Sequence, residues 1–342
     1  MAQVQPVQGK TMRLMLGGDV MLGRGVGVHI ERRGPGYPLG EIASMMREAD
    51  LTVINLECAI TSSRHRWPGE PKAFYFGAPP QAVQTLVEAG VDMVSLANNH
   101  VLDFGEEGLR ETCDLLMRHG MRYGGAGLDS QEAHLPKLIE CGGTRFGMAA
   151  FCDHQADFAA QADKPGIAYM DLDDEHAVIA AWHDALACLQ RAAVDWPILS
   201  LHWGPNMAFR PSARFRRLAH AAIDMGWKIL FGHSAHVFQG VELYRGYPII
   251  YAAGDLVDDY YVDPEYRNDH QLLFELELSH DSLQRIFLHP MFIRYCRVRP
   301  ATGAQFAHIA AWMTRLCDEL GTRVQQRDAV VWIECAEAGS LH

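Results

Sequence analysis

The sequence predicts an α/β protein built on a mixed β-sheet or a pair of sheets. Three observations carry that expectation. Apolar runs of strand length alternate with helix-like segments through the first half of the chain. Strand-like runs crowd together in the C-terminal part. Run after run also stops abruptly at residues that can bind a ligand or move a proton, as where Met93-Val94-Ser95-Leu96-Ala97 meets Asn98-Asn99-His100. Valine, leucine and methionine before a polar break read as a buried strand.

The elements follow in order. Residues 1–10 read as a disordered tail, and residues 11–342 as one domain closed by a C-terminal helix and strand. "MRLMLGGDVML" (12–22) is a first strand ending at Gly17-Gly18, "PLGEIASMMREA" (38–49) a helix and "LTVINLECAI" (51–60) a second buried strand. "SSRHRWPGEPKAFYFGAPP" (62–80) is a long irregular insertion whose Trp67, Phe74, Tyr75 and Phe76 suit a substrate lid or ordinary packing equally. A helix over 80–90 stops at glycine. The Asn98 strand, a helix near 106–119, "RFGMAAF" (145–151) and a helix near 173–193 follow. "WPILSLHWG" (196–204), "WKILFGHSAH" (227–236) and "YPIIYAAGDLVDDY" (247–260) repeat the pattern of strand and polar tip. "QLLFELEL" (271–278) and "LQRIFLHPMFI" (283–293) form a hairpin. A helix near 301–320 and the strand "DAVVWIE" close the chain.

Composition narrows the function. Thirty basic against 42 acidic residues give a formal charge of −12, which argues against nucleic acid as a partner. Eight scattered cysteines without a C-x-x-C pair read as thiols of a reducing cytoplasm. No apolar run approaches the roughly 18 residues of a membrane span, and the N-terminus lacks the apolar core of a signal peptide. The expectation is a cytoplasmic protein acting on a small molecule, peptide or polymer.

The strand tips carry the chemistry. Asp19, Glu57, Asn99, His202, His233 and His236 are two carboxylates, an amide and three imidazoles. In α/β sheets ligands bind beyond the carboxyl ends of strands, where residues far apart in sequence converge. This mixed oxygen and nitrogen set suits one or two divalent transition ions, Mn, Fe or Zn. A lone His202 reads more readily as structural; within the ordered set it reads as a ligand. Asp19 could instead cap a helix. Glu57 lies among apolar residues, where an unpaired carboxylate is costly. His233 and His236 reach one ion either from one face of a helix or from a strand-to-loop corner. His100 is left free for protons, with Asp103 either orienting it or capping the next helix. Arg24 is a candidate grip for an anionic substrate. Asp255, Asp258, Asp259 and Asp263 could hold a cation, position a substrate amine or form a solvated acidic loop. "GDVMLGRG" lacks the Lys and Ser/Thr of a P-loop.

The ordered motifs "GGDVMLGR", "NLECAIT", "SLANNHVLDFG", "LHWGPN", "GHSAHVFQGVE" and "YAAGDLVDDY" give the chain a specific resemblance to the CapA-type (poly-γ-glutamate capsule synthesis) proteins over about residues 12–260. These group with the calcineurin-like metallophosphoesterases. The resemblance implies a metallophosphatase-like four-layer αββα sandwich of two mixed β-sheets, with a metal site at one edge. It implies Asp19, Glu57, Asn99, His202, His233 and His236 as ligands and His100 as a general acid or transition-state donor. Where that superfamily has Asp-x-His this chain has Met21; its bridging acid is Glu57 and its last motif is His-x-x-His. The implied function is a metal-dependent hydrolase acting on a phosphoester or related bond, linked to poly-γ-glutamate. The alternatives are a non-catalytic assembly protein for an anionic polymer, or metal-assisted chemistry on a peptide.

Overall fold

Alternation along Met12–Leu16, the start of the strand Met12–Val20, sets the architecture. Met12, Leu14 and Leu16 join one apolar cluster and Met15 the other, as period-two side chains do, until a register shift beyond Gly17 turns Val20 to the side of Met15. A computed structural model describes residues 11–335 of the chain, so the expected tail at 1–10 lies outside the described residues.

A ten-stranded mixed sheet holds, in spatial order, Val324–Arg327, Val330–Glu334, Leu283–Ile293, His270–Leu278, Met12–Val20, Leu51–Leu56, Met93–Ser95 and Arg122–Gly124. Asp255–Val257 pairs in parallel with the end of Met12–Val20, and Val298–Pro300 pairs with Leu283–Ile293. A six-stranded mixed sheet runs Val241–Tyr244, Tyr247–Ile250, Ile229–His233, Trp196–His202, Thr144–Cys152 and Lys137–Cys141. One cluster joins residues of both sheets: Leu14, Leu16, Val53 and Phe274 with Phe146, Ile198, Ile229 and Phe231. The opposite face of the first sheet carries helices Arg24–Arg33, Ile42–Arg47, Val83–Glu88 and Gly105–Arg118, through Val26, Ile30, Met46, Leu86 and Leu116. Helices Glu175–Arg191 and Ala213–Met225 pack on the second sheet through Trp182, Leu186, Leu218 and Ile223.

Several local expectations change. The first strand does not end at Gly17-Gly18 but runs through them to Val20. A Cβ at Gly18 would stand 1.9 Å from the Gly254 carbonyl oxygen, so glycine lets this backbone lie against residue 254, where the Asp19 N–H donates to Gly254 O at 2.9 Å. "YPIIYAAGDLVDDY" is two strands, Tyr247–Ile250 and Asp255–Val257, in different sheets. Gly254, at φ +75°, makes that crossing. Helices Arg24–Arg33 and Ala213–Met225 occupy stretches where the sequence suggested no element. Their glycines and paired arginines dilute the apolar period. The hairpin of residues 270–293 forms as expected.

Candidate metal centre

Parallel strands of both sheets deliver their C-terminal ends to one place. Asp19 is the penultimate residue of its strand, Glu57 follows Leu51–Leu56, and His202 and His233 end theirs, paired with each other in register. Asn98, Asn99 and His100 lie in the loop after Met93–Ser95. His236 follows three residues after His233 in a loop where Ser234 (φ +96°) and His236 (φ +57°) take left-handed backbone. The His-x-x-His pair is therefore a strand-to-loop corner. Strain of this kind in non-glycine residues persists where the surroundings fix it. Here the Ser234 N–H donates to Asp19 Oδ2 at 3.0 Å.

All six expected ligands converge. Asp19, His202 and His233 present donor atoms within 4.8 Å of one another, and Asp19, Glu57, His236 and Asp255 form a second such group. His202 Nδ1 lies 2.9 Å from His233 Nδ1 and 3.9 Å from Asp19 Oδ1. His202 Nε2 is 3.0 Å from Asn99 Oδ1 and 3.9 Å from Glu57 Oε1. His236 Nδ1 is 2.9 Å from Asp255 Oδ1 and 3.8 Å from Asp19 Oδ2. Two ligands of one tetrahedral zinc stand about 3.3 Å apart, so these spacings suit shared ions. Asp255 Oδ2, buried and without a hydrogen-bond partner among the described residues, fits the same explanation.

Electrostatics agrees. Burial pushes Asp19 up to about 6 and raises Glu57 and Asp255 well above the usual carboxylate range, with Asp19 adding to both. Burial raises Asp258 likewise, with Asp255 adding to it. It pulls His233 down to about 3 and His202 well down, so both rings are neutral at neutral pH, the form that ligates metal. Buried acids beside neutral imidazoles are a donor set that fits a cation.

Around this group the two open alternatives resolve. Asp103 does not cap the helix Gly105–Arg118, which has no side-chain cap; its Oδ2 is 2.6 Å from His100 Nδ1. Nor does Asp19 cap Arg24–Arg33. Asp103 also accepts from the Phe76 N–H at 2.7 Å and pairs with the Lys72 ammonium, which donates to the Asn99 carbonyl too. Phe76 stacks on His100 with ring centroids 3.8 Å apart. His100 Nε2 faces Glu57 Oε1 at 3.9 Å. Arg24 does not reach this group: it pairs with Asp259 at 3.3 Å and lies over the rings of Phe74 and Phe76, one ring beyond His100. In the insertion Trp67 is packing, with its N–H on Asp157, while Phe74 is exposed.

Several participants escaped the sequence. Lys72 lies in a stretch rich in charge, where nothing marks one lysine as buried. Asn55 donates to Asp19 Oδ1 at 2.7 Å and Tyr260 donates to Glu57 Oε2 at 3.2 Å. Asp255 stood out only as one acid among four.

An α/β fold with mixed sheets flanked by helices, bearing two groups of buried acids and histidines at strand ends, is a fold capable of binding metal. The model of the bacterial capsule synthesis protein family PGA_cap matches residues 13–260, and the chain belongs to that family. Among its relatives is a probable polyglutamine synthesis accessory protein of Mycobacterium tuberculosis, 29% identical over 333 residues, covering 85% of this chain and 87% of that one. The capsule biosynthesis protein CapA of Bacillus anthracis is 25% identical over 305 residues, covering 89% of this chain and 72% of its own. The PGA biosynthesis protein CapA of Bacillus subtilis is 26% identical over 244 residues, covering 71% and 62%. Among the described residues no helix is long and apolar enough to cross a membrane.

Proposed function

We propose that this protein is a metal-dependent hydrolase of the calcineurin-like class, acting on a phosphoester or related bond in poly-γ-glutamate metabolism, from a single four-layer αββα domain. The observation that carries the reading is His100. Its Nδ1 is held by Asp103 while its Nε2 faces the buried donor groups. The relatives' names, with capsule and polyglutamine synthesis in them, support the link to the polymer. The cluster joining both sheets, to which helix Gly303–Asp318 also contributes, with the other long helices in separate clusters on the outer faces, supports the layering.

Asp19, Glu57, Asn99, His202, His233 and His236 would hold one or two divalent ions. A bound ion supplies polarisation of the scissile group and a nucleophilic hydroxide at neutral pH. The chain's own residues do the rest. Asp103 accepts the Nδ1 proton of His100, which leaves Nε2 as the atom open to the site. Burial pulls His100 down to about 4, against the opposing pull of Asp103, so the ring rests neutral. An anionic substrate beside Nε2 favours the protonated ring, which then gives its proton to the leaving oxygen. Phe76 stacked on His100 keeps water off one face, and Arg24 beyond it grips negative charge at the rim.

The test is a substrate series of graded leaving-group pKa, with metal content measured on every variant. His100→Asn keeps its metal and loses about 10²- to 10⁴-fold in turnover, less for nitrophenyl esters that need no proton. His202→Ala and His233→Ala lose metal and rate together. An equal loss across the series in His100→Asn removes the acid role. A second reading, a non-catalytic assembly protein for an anionic polymer, draws on the buried Met21 at the position of the superfamily histidine. Metal-loaded protein that turns over no ester or amide, yet binds the polymer, establishes it instead.

A further inference from the structure

The two donor groups differ in chemistry. The first offers the Asp19 carboxylate and the His202 and His233 imidazoles, with the Asn99 amide oxygen beside His202. The second offers three carboxylates, Asp19, Glu57 and Asp255, and one imidazole, His236. Asp255 is fully buried beside the buried Asp258 carboxyl, and among the described residues its Oδ2 meets no hydrogen-bond partner at bonding distance. Its other oxygen is already on His236 Nδ1 at 2.9 Å.

This arrangement is built. Gln271, buried in the neighbouring antiparallel strand, accepts the Asp255 N–H at 3.0 Å and donates to the His236 carbonyl at 3.1 Å and the Asn268 carbonyl at 2.8 Å. One amide thus sets the backbones of both donors. Glycine at 254 leaves room for that amide: a Cβ there would stand 2.0 Å from Gln271 Oε1.

We propose that Asp255 is a metal ligand, and that it makes the centre a two-metal site of unlike positions: a hard position at Asp19, Glu57, His236 and Asp255 that takes Mn²⁺, and a nitrogen-rich position at Asp19, Asn99, His202 and His233 that takes Zn²⁺. The inference rests on the reading of this cluster as a metal centre. Carboxylate oxygens favour hard cations such as Mn²⁺, whereas imidazoles suit Zn²⁺ and the later metals. Raw affinity would put Zn²⁺ in both positions, so ligand type is what separates them.

The experiment strips the full-length protein with chelator, incubates it with equimolar Mn²⁺ and Zn²⁺, and counts bound metal by mass spectrometry, with electron paramagnetic resonance reading Mn²⁺. Wild type takes up one of each. Asp255→Asn keeps Zn²⁺ and binds Mn²⁺ at least tenfold more weakly; His202→Ala does the reverse. Circular dichroism checks that the variants fold. Should Asp255→Asn fail to fold, anomalous scattering from wild-type crystals grown with Mn²⁺ decides, by whether the manganese peak touches the Asp255 carboxylate. Unchanged Mn²⁺ affinity in Asp255→Asn, a manganese peak away from Asp255, or two Zn²⁺ taken from the mixture overturns the proposal while the metal centre stands. Wild type that binds neither cation overturns the centre as well.

Discussion

Glu275 and Asp19 are buried carboxylates of neighbouring strands in one sheet, and their environments pull in opposite directions. Glu275 accepts from Arg13 Nε at 2.5 Å and from His289 Nε2 at 2.9 Å. Burial pushes it up, but these partners more than offset that and hold it down to about 2. Burial lifts Asp19 to about 6 against the opposing pull of His236, the Asn55 amide and the Ser234 backbone N–H. An acid that serves the fold carries its countercharge in the chain. Among the described residues the acids at the strand ends meet imidazoles and amides rather than arginine or lysine, an environment that fits a fold capable of binding a cation.

The largest effect expected from this difference is a pH dependence that metal reverses. Asp19, Glu57 and Asp255 have pKa values raised in the folded state, so the unfolded chain releases their protons first. The contribution of these carboxylates to the stability of the stripped protein is present below the unfolded carboxylate range, near pH 4, and is lost as pH rises through about 6 for Asp19. The lowered His202 and His233 act in the opposite sense, removing stability as pH falls below about 6.5. Asp19 alone contributes a loss of about 3 kcal/mol between pH 4 and pH 8. Added Mn²⁺ or Zn²⁺ restores it. Calorimetry on stripped and loaded protein at pH 5 and pH 8 measures the gap, which widens with pH. A gap between stripped and loaded protein that fails to widen from pH 5 to pH 8 would end the comparison.

Asp103 lies beside the centre but belongs with Glu275, because Lys72 brings it a buried cation. Lys72→Met leaves that carboxylate buried without its partner and costs about 3 kcal/mol in urea unfolding, with metal content unchanged. Metal loss in this variant would move Lys72 into the centre.

The smallest effect tests the other side of the comparison. Glu275→Gln costs about 2 kcal/mol at pH 7, discounted because Arg13 is partly exposed. Glu275 has a depressed pKa, so its contribution is present above about 4.5 and is lost as pH falls through about 2. The gap between variant and wild type therefore closes over that range in acid unfolding, and a gap that persists at pH 2 would mean packing rather than charge.

Much of this was legible in the chain. Apolar runs that halt at Asp19, Glu57, Asn99, His202 and His233 mark buried strands with chemistry at their ends, because a buried strand is mostly apolar and a polar side chain buried at its end needs a partner. The helices that escaped, Arg24–Arg33 and Ala213–Met225, are the polar ones, held by one apolar face each. Asp103 shows the limit in miniature. Its sequence position allowed a cap or an orienting contact, and only the three-dimensional placement of His100, Phe76 and Lys72 chose between them.

The sequence by itself determined which residues stand at strand ends and which chemical types they are, since period and polarity are local properties. Tertiary structure alone decided how those ends are shared out. Asp255 joins the first sheet while Tyr247–Ile250, a few residues before it, joins the second. Lys72 reaches across an irregular insertion to Asp103, a contact between residues 31 apart. Both depend on where two sheets come together, and that is fixed by the apolar face they bury jointly, to which residues from Met12 to Cys335 contribute.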